Sequence, residues 1–210
     1  MKILAVSDTV SSFFLKPFAV HKYGRGVNLI LACGDLPPYY LELLLNELNV
    51  PLYYIPGNHD DRYVHFGPTG SDFVRGGCNI DGTTAVINGL IIAGLGGAQR
   101  YRPGRYLLSE SQMNRKVNAL VSELQANYRR FGRFIDILIT HAPPMGIHDG
   151  NDLPHRGFKS FIDFIKTYRP DYLLHGHTVS ARQTSLSRYQ STQIINVNPY
   201  RIVKIENGHF

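Results

Sequence analysis

Five short apolar runs each stop at a polar residue able to hold a metal or a phosphate, and this punctuation constrains the fold more than any other feature. Lys2–Ser7 runs into Asp8, Val27–Cys33 into Gly34-Asp35, and Pro51–Ile55 into Gly57-Asn58-His59-Asp60. Ile135–Thr140 runs into His141, and Tyr172–His175 into Gly176-His177. Apolar runs this short, bounded by turn residues, read as buried strands. Between the second and third, Leu41, Leu44, Leu45 and Leu48 recur at helical spacing behind Pro38, which suits a first helical turn. Strand, helix, strand in that order predicts a parallel sheet. Ligands of open α/β sheets bind beyond the carboxyl ends of the strands. The five polar ends are therefore expected to converge, although they lie far apart in sequence.

The rest of the chain reads as further strands and helices. Thr83–Ile87, Asn88-Gly89 and Leu90–Gly94 predict a tight β-hairpin. Ser109 and Gln112 form a capping box for a long helix carrying Met113, Val117, Leu120, Val121, Leu124 and Tyr128 on one stripe. Gly157–Tyr168 predicts another helix, with Phe158, Phe161, Ile162 and Ile165 inward and a stop before Pro170. Gln193–Val197 and Arg201–Ile205 read as a closing hairpin. No repeat or linker divides the chain, so residues 1–210 are expected to form a single domain.

Composition removes several classes. With 43% hydrophobic and 18% charged residues, the chain is too apolar for intrinsic disorder. Two cysteines, Cys33 and Cys78, exclude a disulfide framework and a four-cysteine zinc module. Cys33 lies in an apolar run and reads as a buried structural thiol. No apolar run has the length of a membrane span, and Ile3–Val6 is too short for a signal peptide. The expectation is a soluble, cytoplasmic protein with no membrane partner. The net charge of +6 favours anionic partners, whether phosphate ligands, nucleic acid or acidic lipid. Arg129, Arg130 and Arg133 read as the solvated end of a helix, whereas Arg100, Arg102 and Arg105, set among tyrosines and glycines, read as lying near a ligand. Nothing in the sequence sets an oligomeric state. Gly94-Leu95-Gly96-Gly97 follows a hairpin and opens no helix, so it is not a dinucleotide fingerprint. No G-x-S-x-G element is present for a serine hydrolase.

Taken singly, each polar end has a plainer role. Asp8 can cap a turn, His141 can be a bonded core histidine, Asn58 a turn residue, and Asp60 and Asp61 loop charges. Five strand ends carrying such residues together favour one joint site. Carboxylate, amide oxygen and imidazole suit a divalent ion such as Mn, Fe, Zn, Co or Ni, where an all-carboxylate set would point to Mg or Ca.

Asp8, Gly34-Asp35, Gly57-Asn58-His59-Asp60, Thr140-His141 and Gly176-His177 stand in an order and spacing that resembles the calcineurin-like metallophosphoesterases. Gly94–Tyr101 and Pro154–Phe164 also look like segments of compact family members. The resemblance implies a four-layer α/β/β/α sandwich, two mixed sheets flanked by helices, with a two-metal centre that hydrolyses phosphate esters. It implies that Asp8 and Asp35 serve one ion, and that Asp35, Asn58, His141 and His177 hold the other, of which Mn, Fe or Zn is expected. It implies that His59 is the acid-base or phosphate-binding histidine, that Asp60 orients it, and that His155 lines the site; with Arg100, read near a ligand from its own surroundings, His155 is expected to bind substrate.

One metal site departs from that pattern. The family's Asp-x-His after the first strand is Asp8-Thr9-Val10 here, and its Gly-His-x-His is Gly176-His177-Thr178-Val179. Valine has no lone pair, and both replaced histidines serve the same ion in the family pattern. Thr9, Gln99, His148 or His155 can substitute only if the fold brings them close; His148 reads as a surface loop residue. Two expectations follow: a phosphoesterase working with one firmly held ion or with a weak second one, or a degenerate member that binds a phosphorylated ligand, nucleic acid or protein without turnover. Tyr39, Tyr40, Tyr63 and Tyr101 lie close to the motifs and point either to base stacking in a phosphodiester or to plain packing.

Overall fold

Why the central strands are apolar on both faces is answered by the layering. The computed structural model describes residues 1–63, 73–178 and 186–205. In chain order the elements are β1 (Lys2–Val6), α1 (Pro17–Gly24), β2 (Leu29–Ala32), α2 (Pro38–Leu48), β3 (Leu52–Tyr54), β4 (Cys78–Asn79), β5 (Thr84–Ile87), β6 (Leu90–Leu95), β7 (Ala98–Gln99) and β8 (Leu107–Leu108). They continue with α3 (Glu110–Ala119), α4 (Val121–Phe131), β9 (Ile137–Thr140), α5 (Lys159–Tyr168), β10 (Tyr172–His175), β11 (Leu186–Tyr189), β12 (Thr192–Asn196) and β13 (Tyr200–Lys204).

Two mixed sheets result. One runs β13-β1-β2-β3-β4 and the other β11-β12-β10-β9-β6-β5. Side chains alternate along each strand. Ile3 and Ala5 of β1, Leu29 and Leu31 of β2, Ile137 and Ile139 of β9 and Leu174 of β10 meet in one buried cluster between the sheets. Leu4, Val6, Ile30 and Ala32 face the other way and pack with Val20 of α1 and Tyr40, Leu41 and Leu44 of α2. Leu138 and Leu173 pack with Met113, Leu124 and Phe161 of the other three helices. The order is helices, sheet, sheet, helices, as the family resemblance implies. Register sets the carboxyl ends level: Val6 pairs with Ala32, Ala32 with Tyr54, and Leu95 with Thr140.

The hairpin of β5 and β6 and helix α2 lie where the sequence predicts them. Three expectations are corrected. The long helix is two, because the chain turns at Leu120, whose N–H bonds back to Val117 O at 3.1 Å. The turn re-aims α4, so Leu124 is buried while Tyr128 swings out and stacks on Phe134 at 4.6 Å between ring centres. In α5 Phe161 and Ile165 are buried as expected, but Phe164 joins them in place of Ile162, which is only half-buried. The closing hairpin does not form. β12 lies parallel to β10 in the second sheet and makes its hairpin with β11, whereas β13 pairs antiparallel with β1 in the first. Two adjacent apolar runs imitate a hairpin in sequence, but each buries more by completing a different sheet.

Arg133 is likewise not a solvated helix end. Its Nε lies 2.6 Å from Asp136 Oδ1, its Nη2 2.7 Å from Gly89 O, and Asp136 is buried. Arg129 and Arg130 are exposed, as expected. Cys33 is buried with its thiol 3.6 Å from Leu174 O, and burial raises its pKa far above the ordinary thiol range. Among the described residues no helix is long and apolar enough to cross a membrane.

Candidate metal centre

The strand ends meet because their turns permit close backbone approach. Gly34 follows β2 at φ 91°, and a Cβ there would lie 2.5 Å from Gly57 N and 2.8 Å from His141 Nδ1. A Cβ on Gly176, after β10, would overlap Ser7 Oγ and Asp8 Oδ2. Glycine at both places lets three turns pack in contact. Asp8, Asp35 and His177 have φ of 60°, 59° and 66°, a left-handed conformation uncommon outside glycine. Strained backbone held at three convergent polar residues is the pattern of a built site.

One ligand-capable atom from each of Asp35, His141 and His177 lies within 4.8 Å of the others, and among the described residues this is the one such group. Asn58 joins it, with Oδ1 2.9 Å from His141 Nε2. Asp35 Oδ2 lies 3.3 Å from the same nitrogen, and its Oδ1 accepts from His59 N at 2.8 Å. The second strand end supplies His141 with a fixed orientation: Nδ1 donates to Cys33 O at 2.8 Å, which turns Nε2 toward Asp35 and Asn58. His177 is fixed the other way round. Its Nε2 donates to Pro154 O at 2.7 Å, leaving Nδ1 with the free lone pair. Orienting bonds of this kind behind imidazole are the common support of metal ligands.

Electrostatics agree with a cation-seeking cluster. Burial alone would raise Asp35, but His141 and the His59 N–H outweigh it and hold the carboxyl at about 2. Burial alone would lower His141, yet Asp35 raises it to about 10, so a proton occupies Nε2 in the metal-free chain. His177 falls to about 3 through burial and the charge of His141. Asp8 is raised by burial, and its Oδ2 accepts from His177 N at 2.8 Å. The His177 lone pair, that of His141 once its Nε2 gives up the proton, a carboxylate and an amide oxygen aimed at one small volume fit a borderline divalent ion.

A family model described as calcineurin-like phosphoesterase matches residues 1–181. The chain belongs to the calcineurin-like phosphoesterases. No curated protein matches it. Among solved structures it is similar to TT1561 of Thermus thermophilus, at 16% identity and a TM-score of 0.62 over 93% of this chain and 88% of that one. A second crystal structure is similar at 14% identity and a TM-score of 0.65, over 93% and 90% of the two chains. A third, a novel archaeal phosphodiesterase, is 14% identical with a TM-score of 0.49 over 97% and 99%. At these identities the likeness to the first two is one of fold.

In this calcineurin-like phosphoesterase the remaining predicted residues take distinct places. His59 is exposed beside the ligand cluster. The resemblance implies that Asp60 orients the His59 ring; here its Oδ2 accepts instead from Asp35 N and Gly57 N, each at 2.8 Å. Its Oδ1 is buried and has no partner among the described residues, and burial followed by the Asp35 charge lifts Asp60 to about 7. Asp60 thus ties the Asp35 turn to the Gly57 turn. The exposed His155 ring stands 5.3 Å from that of His177 and bonds Asp152 Oδ2 at 2.7 Å. Arg100 spends its guanidinium on Leu107 O at 3.1 Å and on Gln112 Oε1, locking β8 to the cap of α3. Gln99 bonds Glu110 and Gly157 O, and Thr9 is exposed.

Val10 packs, half-buried, against the apolar cluster of the first sheet and its helices. Val179 lies outside the described residues. Tyr40 is wholly buried and is packing, whereas Tyr39 is 61% exposed. His148 is not a free surface residue: it is half-buried and bonded to His175 and Ser187. Sequence reasoning missed that triplet, because no local pattern joins a loop, a strand end and an edge strand.

Proposed function

We propose that this chain hydrolyses phosphoesters, phosphodiesters in particular, at a centre where Asp35, Asn58, His141 and His177 hold one divalent ion, Mn, Fe or Zn. The convergence of those four side chains, with both imidazole tautomers fixed from behind, carries the reading. When bound, the ion would polarise the phosphoryl group and lower the pKa of a bound water. The chain's own residues do the rest. Asp35 supplies negative charge, held in place by Asp60 through its backbone. His59, exposed at the rim, gives a proton to the leaving oxygen. His155, exposed beside His177, lines the approach for an anionic substrate, in keeping with the net charge of +6. Exposed Tyr39 favours an organic group on the ester.

The test is turnover of bis(4-nitrophenyl) phosphate and 4-nitrophenyl phosphate with added Mn²⁺. The diester is expected to turn over faster, chelator to abolish the rate and Mn²⁺ to restore it. His59→Gln should lower kcat by about 10²-fold and leave metal uptake intact. Rates equal to buffer with every metal would refute the reading.

Packing of Val10 in the apolar cluster favours the second reading, a member that binds phosphorylated ligands or nucleic acid without turnover. Val10→His with Val179→His decides between them. If the missing second ion limits the chemistry, the double variant takes up another ion and gains about 10²-fold or more in rate, the scale of a few kcal/mol. A variant with no gain, together with salt-sensitive nucleic-acid binding by the wild type, would establish the binding role.

A further inference from the structure

Behind the ligand cluster, two imidazoles and a hydroxyl form a chain whose direction is set at its inner end. His175 is wholly buried, and its Nδ1 lies 3.0 Å from Gly176 O. A carbonyl only accepts, so Nδ1 carries the hydrogen. Among the described residues no carboxylate bonds this ring, so with its hydrogen on Nδ1 the neutral imidazole leaves Nε2 bare. It therefore accepts from His148 Nδ1, 2.9 Å away. His148 Nε2, bare in turn, accepts from Ser187 Oγ at 2.8 Å. Ser187, His148 and His175 donate in turn, and the last hydrogen goes to the acceptor Gly176 O, one peptide bond before His177.

His148 belongs to the connection between β9 and α5. That connection closes on itself through Gly150 N to His155 O at 2.9 Å and Gly157 N to Asp149 Oδ2 at 3.1 Å. Its far side presents Pro154 O to His177 Nε2. His148 thus anchors to β10 the same loop whose carbonyl decides which nitrogen of His177 is free. We propose that His148 is a positioning residue for the metal centre. Through His175 it pins the loop of residues 143–157, so that Pro154 O keeps His177 protonated at Nε2 and bare at Nδ1. The proposal rests on the reading of His177 as a ligand, and it adds a residue that touches neither metal nor substrate.

The experiment is Mn²⁺ titration of the full chain, with free Mn²⁺ followed by electron paramagnetic resonance. His148 sits at φ 62°, so His148→Gly removes the ring without backbone strain. Losing such an outer partner lowers metal affinity by about 10- to 100-fold, and that is the expected result, with the circular dichroism spectrum unchanged. His148→Asn tolerates the left-handed backbone and keeps a donor toward His175, so it should recover affinity to within a few-fold of wild type. Wild-type affinity in His148→Gly would overturn the proposal while leaving the metal reading intact. A wild-type chain that takes up no Mn²⁺ would sink the metal reading and the proposal with it. A second readout does not depend on the variant folding. In wild-type protein labelled with ¹⁵N at histidine, the spectrum must show His177 bare at Nδ1 and His148 bare at Nε2; the opposite tautomer at either ring overturns the proposal.

Discussion

His141→Ala is expected to leave the chain without bound metal and to lower diester turnover by about 10³-fold or more. The figure follows from removing the several kcal/mol that an ion contributes to phosphoryl transfer, at about 1.4 kcal/mol per tenfold in rate. His141 is wholly buried, and its ring touches Cys33 O, Asn58 Oδ1 and Asp35 Oδ2, so alanine also strands a buried carboxylate. A stranded charge destabilises, and the loss must be separated from unfolding. Asp35→Asn does this, because the amide keeps an oxygen for His59 N while discarding the charge. Both variants should lose metal by elemental analysis, and Asp35→Asn should keep the folded circular dichroism spectrum. Metal retained at one ion per chain in His141→Ala would remove this histidine from the ligand set.

The second large effect concerns stability and leaves chemistry alone. Arg133→Met is expected to destabilise the fold by about 3 kcal/mol, the cost of leaving one partner of a buried ion pair uncompensated. For a chain of this length that corresponds to a fall of about 9 °C in Tm. The Asp136 carboxylate is buried, its Oδ2 accepts from Ile91 N at 2.7 Å, and Arg133 closes both its oxygens. These bonds tie the start of β9 to the hairpin strand β6, at the opposite end of the sheet from the ligand cluster. Adding Asp136→Asn to Arg133→Met should recover part of the loss, since no charge is then stranded and an oxygen remains for Ile91 N. Thermal denaturation reads both, and kcat of the folded protein should be unchanged. A Tm within 2 °C of wild type, well short of the expected fall of about 9 °C, would show that water replaces the arginine.

Much of this protein is legible without coordinates. Apolar runs such as Leu29–Ala32 and Tyr172–His175 are short and covered on both faces, so they read as strands of a sandwiched sheet. Pro38 and the leucines behind it fix a helix, and Ser109 with Gln112 caps another. Glycine beside aspartate, asparagine or histidine at the strand ends marks the turns of the centre, because such turns need backbone that approaches closely. These are local properties, set by dihedral preference and by periodic burial.

What the sequence leaves undetermined is every choice among distant partners. Arg201–Ile205 carries the same apolar alternation whether it pairs with β12 or with β1, and only the free edge of the first sheet decides it. Leu120 sits on an unbroken stripe, and the helix turns there because α4 must lie down on a different part of the sheet. Asp60 reads as a partner for His59, its neighbour in sequence, yet two backbone amides brought close by the packed turns satisfy it first. His148, His175 and Ser187 have no pattern between them, and their chain exists because a loop, a strand end and an edge strand close over one point. Residue order sets which side chains stand at the ends of which strands. The tertiary structure alone decided which nitrogen, oxygen or amide each one meets, because hydrogen bonds act over about 3 Å while their partners lie tens of residues apart.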